Sequence, residues 1–197
     1  YVFEEGFDKD LVERNRRRNG PIFSIYEEYN ENIFQSKFEL YNKNFWNRDE
    51  NIQISSYARN KLRGFLENEF SLNETFDLEK WAFLFALADL TYTHHGLVPP
   101  NVKFYYNPIS GLFEPIPYDG HRRTRNYNKN LKNFDHQNVY EMAAICLNKR
   151  TNDCEHQDYY FSTSISFETI SSIWLHHFFF DKNDNLNLNF YSEYIKA

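Results

Sequence analysis

The densest run of apolar positions is WAFLFALADL at residues 81–90. Trp81, Leu84, Phe85 and Ala88 recur at helical spacing along one face, and Phe83, Leu87 and Leu90 add an apolar flank. A helix apolar nearly all round is predicted to be a buried core helix. Asp77 offers its N-cap, and Glu79 in the first turn suits the positive end of the helix dipole. Upstream, Phe7, Leu11 and Val12 predict a short helix over residues 8–18, stopped by Asn19-Gly20-Pro21. Ile22, Phe23, Ile25 and Tyr26 read as a strand that ends at Glu27-Glu28, and residues 1–5 as a strand end. Residues 30–50 show no clear period and are expected to be irregular. Ser55-Ser56 reads as the N-cap of a helix over 57–70, with Leu62, Phe65, Leu66 and Phe70 as its stripe, and 72–76 as a connector.

Beyond the central helix, residues 102–106 and 112–116 read as paired strands. Asn107-Pro108-Ile109-Ser110-Gly111 between them has turn chemistry, because Pro fixes φ and Gly accepts positive φ. Pro115 and Pro117 remove backbone donors around Ile116 and make that strand an edge. Residues 121–133 are basic and polar and read as a loop. Helices are predicted over 139–148, over 167–180 with Ile170, Ile173, Trp174 and Phe178 inward, and from 190 onward. The pattern is α+β, mostly helical with one hairpin.

Composition narrows this picture. At 197 residues, 41% hydrophobic and 19% aromatic, the chain can bury an ample core, with one domain the default and two small ones possible. Its 22 basic and 28 acidic side chains give a net charge of -6, a poor match for a nucleic-acid polymer or an anionic membrane surface. No apolar run approaches the roughly 18 residues a membrane-spanning helix needs. The first residues carry no basic n-region and no initiating Met, and both ends read as cut, so a fragment of a longer protein is expected and no compartment is assigned. Cys146 and Cys154 enclose CLNKRTNDC. The pair fits a small disulfide loop or two separate thiols, and the spacing does not suit a zinc ribbon.

The candidate chemistry sits at the ends of these elements. Asp89 lies at the C-terminal end of its helix, where the dipole disfavours an anion, so a specific partner is expected there. A salt bridge to Lys103 or Arg122 is the simpler alternative. Asn101 precedes the hairpin and Asp119 follows it, so paired strands would bring their oxygens together. Amide and carboxylate oxygens of this kind suit a hard divalent cation such as Mg²⁺. Ordinary turn-capping is the competing reading. Arg122 and Arg123 follow Asp119 and are candidates for phosphate or substrate contacts, with solvent exposure the alternative. Arg16-Arg17-Arg18 reads as a solvated run. His94-His95 and His176-His177 are neighbours pointing different ways, which disfavours a zinc site. The loop from Asp181 imitates a calcium loop, but Leu186 and Ser192 stand where it needs Gly and Glu.

Taken together, the segment DLEKWAFLFALADLTYTHHGLVPPNVKFYYNPISGLFEPIPYDG resembles the core signature of the CotH spore-coat kinase family. In that family a helix ends in Asp, a His-containing loop leads to Asn, a hairpin follows, and Asp-Gly closes the block. YVFEEGFDKDLVERNRRRNGPIF is similar to the family's N-terminal segment, and WLHHFFFDKNDNLNLNFYSEYIKA more loosely to its closing helices. Tyr118 departs mildly from the family's usual Phe or Trp. The resemblance implies an atypical protein-kinase-like large lobe that uses ATP and Mg²⁺ to phosphorylate Ser on a protein substrate. By position it makes Asp89 the aspartate facing the substrate hydroxyl, His95 the loop histidine, and Asn101 and Asp119 metal ligands. It treats residues 1–197 as one domain fragment, with 1–28 on the hinge side and 55–197 as the helical lobe, and sets the small lobe upstream of Tyr1. No Gly-rich loop and no clear nucleotide lysine is present. A catalytically inactive scaffold or binding module, and a metal-dependent hydrolase with the same ligands, are the alternatives.

Overall fold

A four-stranded antiparallel sheet, in the order β2-β1-β3-β4, carries the strands β1 (Ile22–Asn30), β2 (Ile33–Leu40), β3 (Lys103–Asn107) and β4 (Leu112–Ile116). The computed structural model describes residues 6–30, 33–91, 93–97, 99, 101–119, 138–140, 143 and 173–197. The helices are α1 (Lys9–Arg14), α2 (Lys43–Trp46), α3 (Ile52–Leu66), α4 (Leu72–Thr75), α5 (Leu78–Thr91), α6 (Ile173–Phe179) and α7 (Leu188–Lys196), with a 3-10 turn at His94–Leu97. The fold class is α+β, as the pattern predicts. No described helix is long and apolar enough to cross a membrane.

The chain divides into two compact units, Tyr1–Trp81 with Val102–Ile116, and Ala82–Asn101 with Pro117–Ala197. In the first unit the hairpin register pairs Lys103 with Ile116 and Asn107 with Leu112, so β4 is the expected edge strand. Gly111 closes the turn at φ 71, a conformation that costs Gly nothing and other residues more. Phe23, Phe76, Trp81, Phe104 and Phe113 are buried against one sheet face, and the Trp81 indole N–H donates to the Phe113 carbonyl at 3.0 Å. Each such ring contributes about 1.5–3 kcal/mol by burial. On the other face, Val12 of α1 meets Ile22 and Tyr105. Glu114, also buried, is held there between Arg17 at 2.9 Å and Lys80 at 3.1 Å.

Three expectations are corrected in this unit. Residues 30–50 are not irregular: they contain β2 and α2. The helix expected from Tyr57 begins at Ile52, and Ser55 lies inside it, donating its buried hydroxyl to the Trp46 carbonyl at 2.9 Å rather than capping. The connector at 72–76 holds the one-turn helix α4, closed by a Ser71–Glu74 capping box. Asp77 does cap α5, accepting from the Lys80 backbone N–H at 3.3 Å.

In the second unit, Phe85 and Ala88 of α5 are buried with Trp174, Phe178, Phe179 and Phe190. The expectation of a helix buried all round is corrected here too: Phe83, Leu87 and Leu90 are exposed, Leu90 to 77%. Asn187 caps α7 by accepting from the Phe190 N–H at 3.3 Å. Asp181 accepts backbone N–H groups of Asn183 and Asn185 at 2.8 and 2.9 Å, so its loop is a self-capped turn. Residues 1–5, the basic loop at 121–133, the cysteine pair, Arg122 and Arg123, and most of the helix expected at 139–148 lie outside the described residues.

Candidate functional site

All the described candidate residues belong to the second unit. α5 ends at Thr91, and the chain turns at once: the Thr93 N–H reaches the Ala88 carbonyl at 3.0 Å, and the Gly96 N–H reaches the Thr93 carbonyl at 3.3 Å. In the 3-10 turn that follows, successive side chains point about 120° apart. His94 and His95 therefore serve two different carboxylates.

His94 Nε2 lies 2.7 Å from Oδ1 of Asp89, and the Val139 backbone N–H donates to the same oxygen at 2.9 Å. The Tyr194 hydroxyl donates to Oδ2. Asp89 thus has the specific partners its place at a helix C-terminus demands, three donors among the described residues, and Arg122 lies outside them. His94 and Asp89 are mostly buried, with side chains 16% and 18% exposed. The Tyr194 hydroxyl is held well above its ordinary pKa, first by burial and then by its bond to the Asp89 carboxylate. His94, Val139 and Tyr194 were not candidates from sequence. The available signal was Tyr194 itself, one turn beyond Phe190 on a buried stripe, since a buried Tyr hydroxyl usually has a partner.

His95 turns the other way. Its Nε2 lies 2.9 Å from Nδ2 of Asn101 and 3.3 Å from Oδ2 of Asp119. Asn101 Nδ2 also donates to the His95 carbonyl at 3.2 Å. A carbonyl only accepts, so this bond assigns the amide nitrogen, and its second hydrogen then points to Nε2. Asp119 holds a left-handed backbone, φ 48, which Asp tolerates better than most residues and which functional sites favour.

The structure thus brings His95, Asn101 and Asp119 together at one imidazole nitrogen, and joins Asp89 to the adjacent His94. An imidazole, an amide and a carboxylate fit a divalent cation in part. Among the described residues no group of three or more His, Cys, Asp or Glu side chains could hold a metal ion. Such a set needs its coordination completed by water or phosphate oxygens, the mode typical of cations that travel with nucleotides.

No protein-family model matches the chain. No curated protein matches it either.

Proposed function

We propose that the chain carries the large-lobe chemistry of a CotH-like atypical protein kinase, transferring a phosphoryl group from ATP to Ser of a protein substrate. The observation that supports this reading best is the meeting of Asn101 and Asp119 at the His95 ring, at 2.9 and 3.3 Å, from either side of a hairpin in the sequence. Asn101 and Asp119 would hold Mg²⁺, which would supply positive charge to neutralise the phosphates. Asp89 orients the attacking Ser hydroxyl and accepts its proton. Oδ2 of Asp89 already accepts a hydrogen bond from the Tyr194 hydroxyl, and its second lone pair would accept the substrate hydroxyl.

The test is labelled phosphate transfer by the full-length protein to a Ser-containing acceptor. Transfer that disappears in Asp119→Ala and Asp89→Asn supports the reading. ATP consumption with no labelled protein favours the metal-dependent hydrolase, and neither activity favours an inactive scaffold.

A further inference from the structure

We propose that His94 is a positioning residue for Asp89: its ring N–H, with the Val139 backbone N–H, takes up Oδ1 and so leaves Oδ2 as the oxygen presented to a substrate hydroxyl. The inference rests on the reading of Asp89 as the aspartate that faces that hydroxyl. The last torsion of an Asp side chain is broad, so a carboxylate at a helix end has no sharp orientation of its own. Hydrogen bonds must supply one. An ionised carboxylate only accepts, with two lone pairs on each oxygen, so Nε2 of His94 is the donor in this contact. At 2.7 Å it has the length of a charge-assisted N–H···O⁻ bond. With the Val139 N–H at 2.9 Å it fills both lone pairs of Oδ1. Tyr194 fills one on Oδ2, so among the described residues one acceptor position is left, and it lies on that oxygen. The Val139 donor is backbone and set by the fold; His94 is the side chain that completes the clamp on Oδ1. Both His94 and Asp89 are mostly buried, so water competes little for their bond. The next residue, His95, meets Asn101 at 2.9 Å and Asp119 at 3.3 Å. One 3-10 turn thus ties Asp89 to the residues read as cation ligands.

The experiment is steady-state phosphoryl transfer from ATP and Mg²⁺ to dephosphorylated casein by the full-length protein, in unmodified form and in His94→Leu, His94→Gln and Asp89→Asn variants. His94→Leu removes the donor and is expected to lower kcat by about tenfold or more, with KM for ATP and for casein changed by less than about twofold. His94→Gln keeps an N–H donor at similar reach and is expected to recover most of that loss. A residue that only supported the fold would not be rescued in this way. Equal losses of kcat in the two His94 variants overturn the inference and leave the reading of Asp89 standing. So does a His94→Leu variant that keeps its kcat while Asp89→Asn abolishes transfer. Transfer by Asp89→Asn at the unmodified rate, or no transfer by any of the proteins, sinks the reading of Asp89 and this inference with it. A readout that needs no substrate is the nitrogen-15 spectrum of the unmodified protein, with the His94 signals assigned by their loss in His94→Gln. A proton on Nε2 supports the donor role, and a proton on Nδ1 alone overturns it.

Discussion

The hydroxyl of Tyr194 donates a hydrogen bond to Oδ2 of Asp89 across 105 residues of sequence. It fastens α7 to the end of α5, at the carboxylate whose other oxygen holds His94. A group expected to face a substrate hydroxyl is thus already bonded to a hydroxyl of its own chain. Tyr194→Phe removes one of the three donors found among the described residues and should cost about 1 kcal/mol in chemical denaturation. If Asp89 orients the substrate hydroxyl, phosphoryl transfer by this variant should hold or rise. A fall larger than the stability loss explains would make Tyr194 part of the active arrangement instead.

Asp89→Asn replaces a charged acceptor of three hydrogen bonds with a neutral amide that has one acceptor oxygen. The expected loss is about 2–3 kcal/mol, read from the urea midpoint. An unchanged midpoint would mean that the three bonds are not formed in solution.

Glu114 is 4% exposed and lies between Arg17 and Lys80, with Asn107 Nδ2 donating at 2.7 Å. Its two cations reach solvent, so removing it strands no buried positive charge. Glu114→Ala should therefore cost about 2–3 kcal/mol, less than the loss from breaking a fully buried pair. Thermal unfolding of the variant checks it.

Burial raises the Tyr105 hydroxyl to about 12, above the ordinary value near 10. The folded state therefore holds this proton more tightly than the unfolded chain does. Stability is intact below about pH 10 and falls as pH climbs from about 10 to about 12. Tyrosinate absorbance and circular dichroism, followed together through that window, should change more steeply in the unmodified protein than in Tyr105→Phe.

α5 marks where sequence and structure part. Its apolar period placed the helix, its cap and its buried face correctly, because Trp81, Phe85 and Ala88 repeat at helical spacing. The flank of Phe83, Leu87 and Leu90 is apolar yet exposed, and hydrophobicity alone cannot say which side a neighbour covers. Leu90→Gln should accordingly change stability by no more than about 0.5 kcal/mol, while Phe85→Ala should cost about 3–5 kcal/mol. Comparable losses at both positions, measured by urea unfolding, would contradict the described packing.

β2 was missed for a different reason. Phe34, Phe38 and Leu40 alternate with Gln35, Lys37 and Glu39, a period of two that was legible but diluted by Ser36 and the polar residues around it. The hairpin and its edge strand were legible because Pro and Gly act locally, through φ and missing donors. The candidate site was legible in part. Asn101 and Asp119 stood out because short polar groups at element ends are seldom core. The sharing of one ring nitrogen was not legible, since it depends on which way a 3-10 turn points two adjacent histidines.

Calorimetric titration of the full-length protein with Mg²⁺ and ATP, beside its Asp119→Ala variant, tests the central claim most directly. The expected result is saturable binding that weakens at least about tenfold in the variant, a difference of about 1.4 kcal/mol. Equal affinities in the two proteins, or no binding in either, would contradict the assignment of this site to a nucleotide-bound cation.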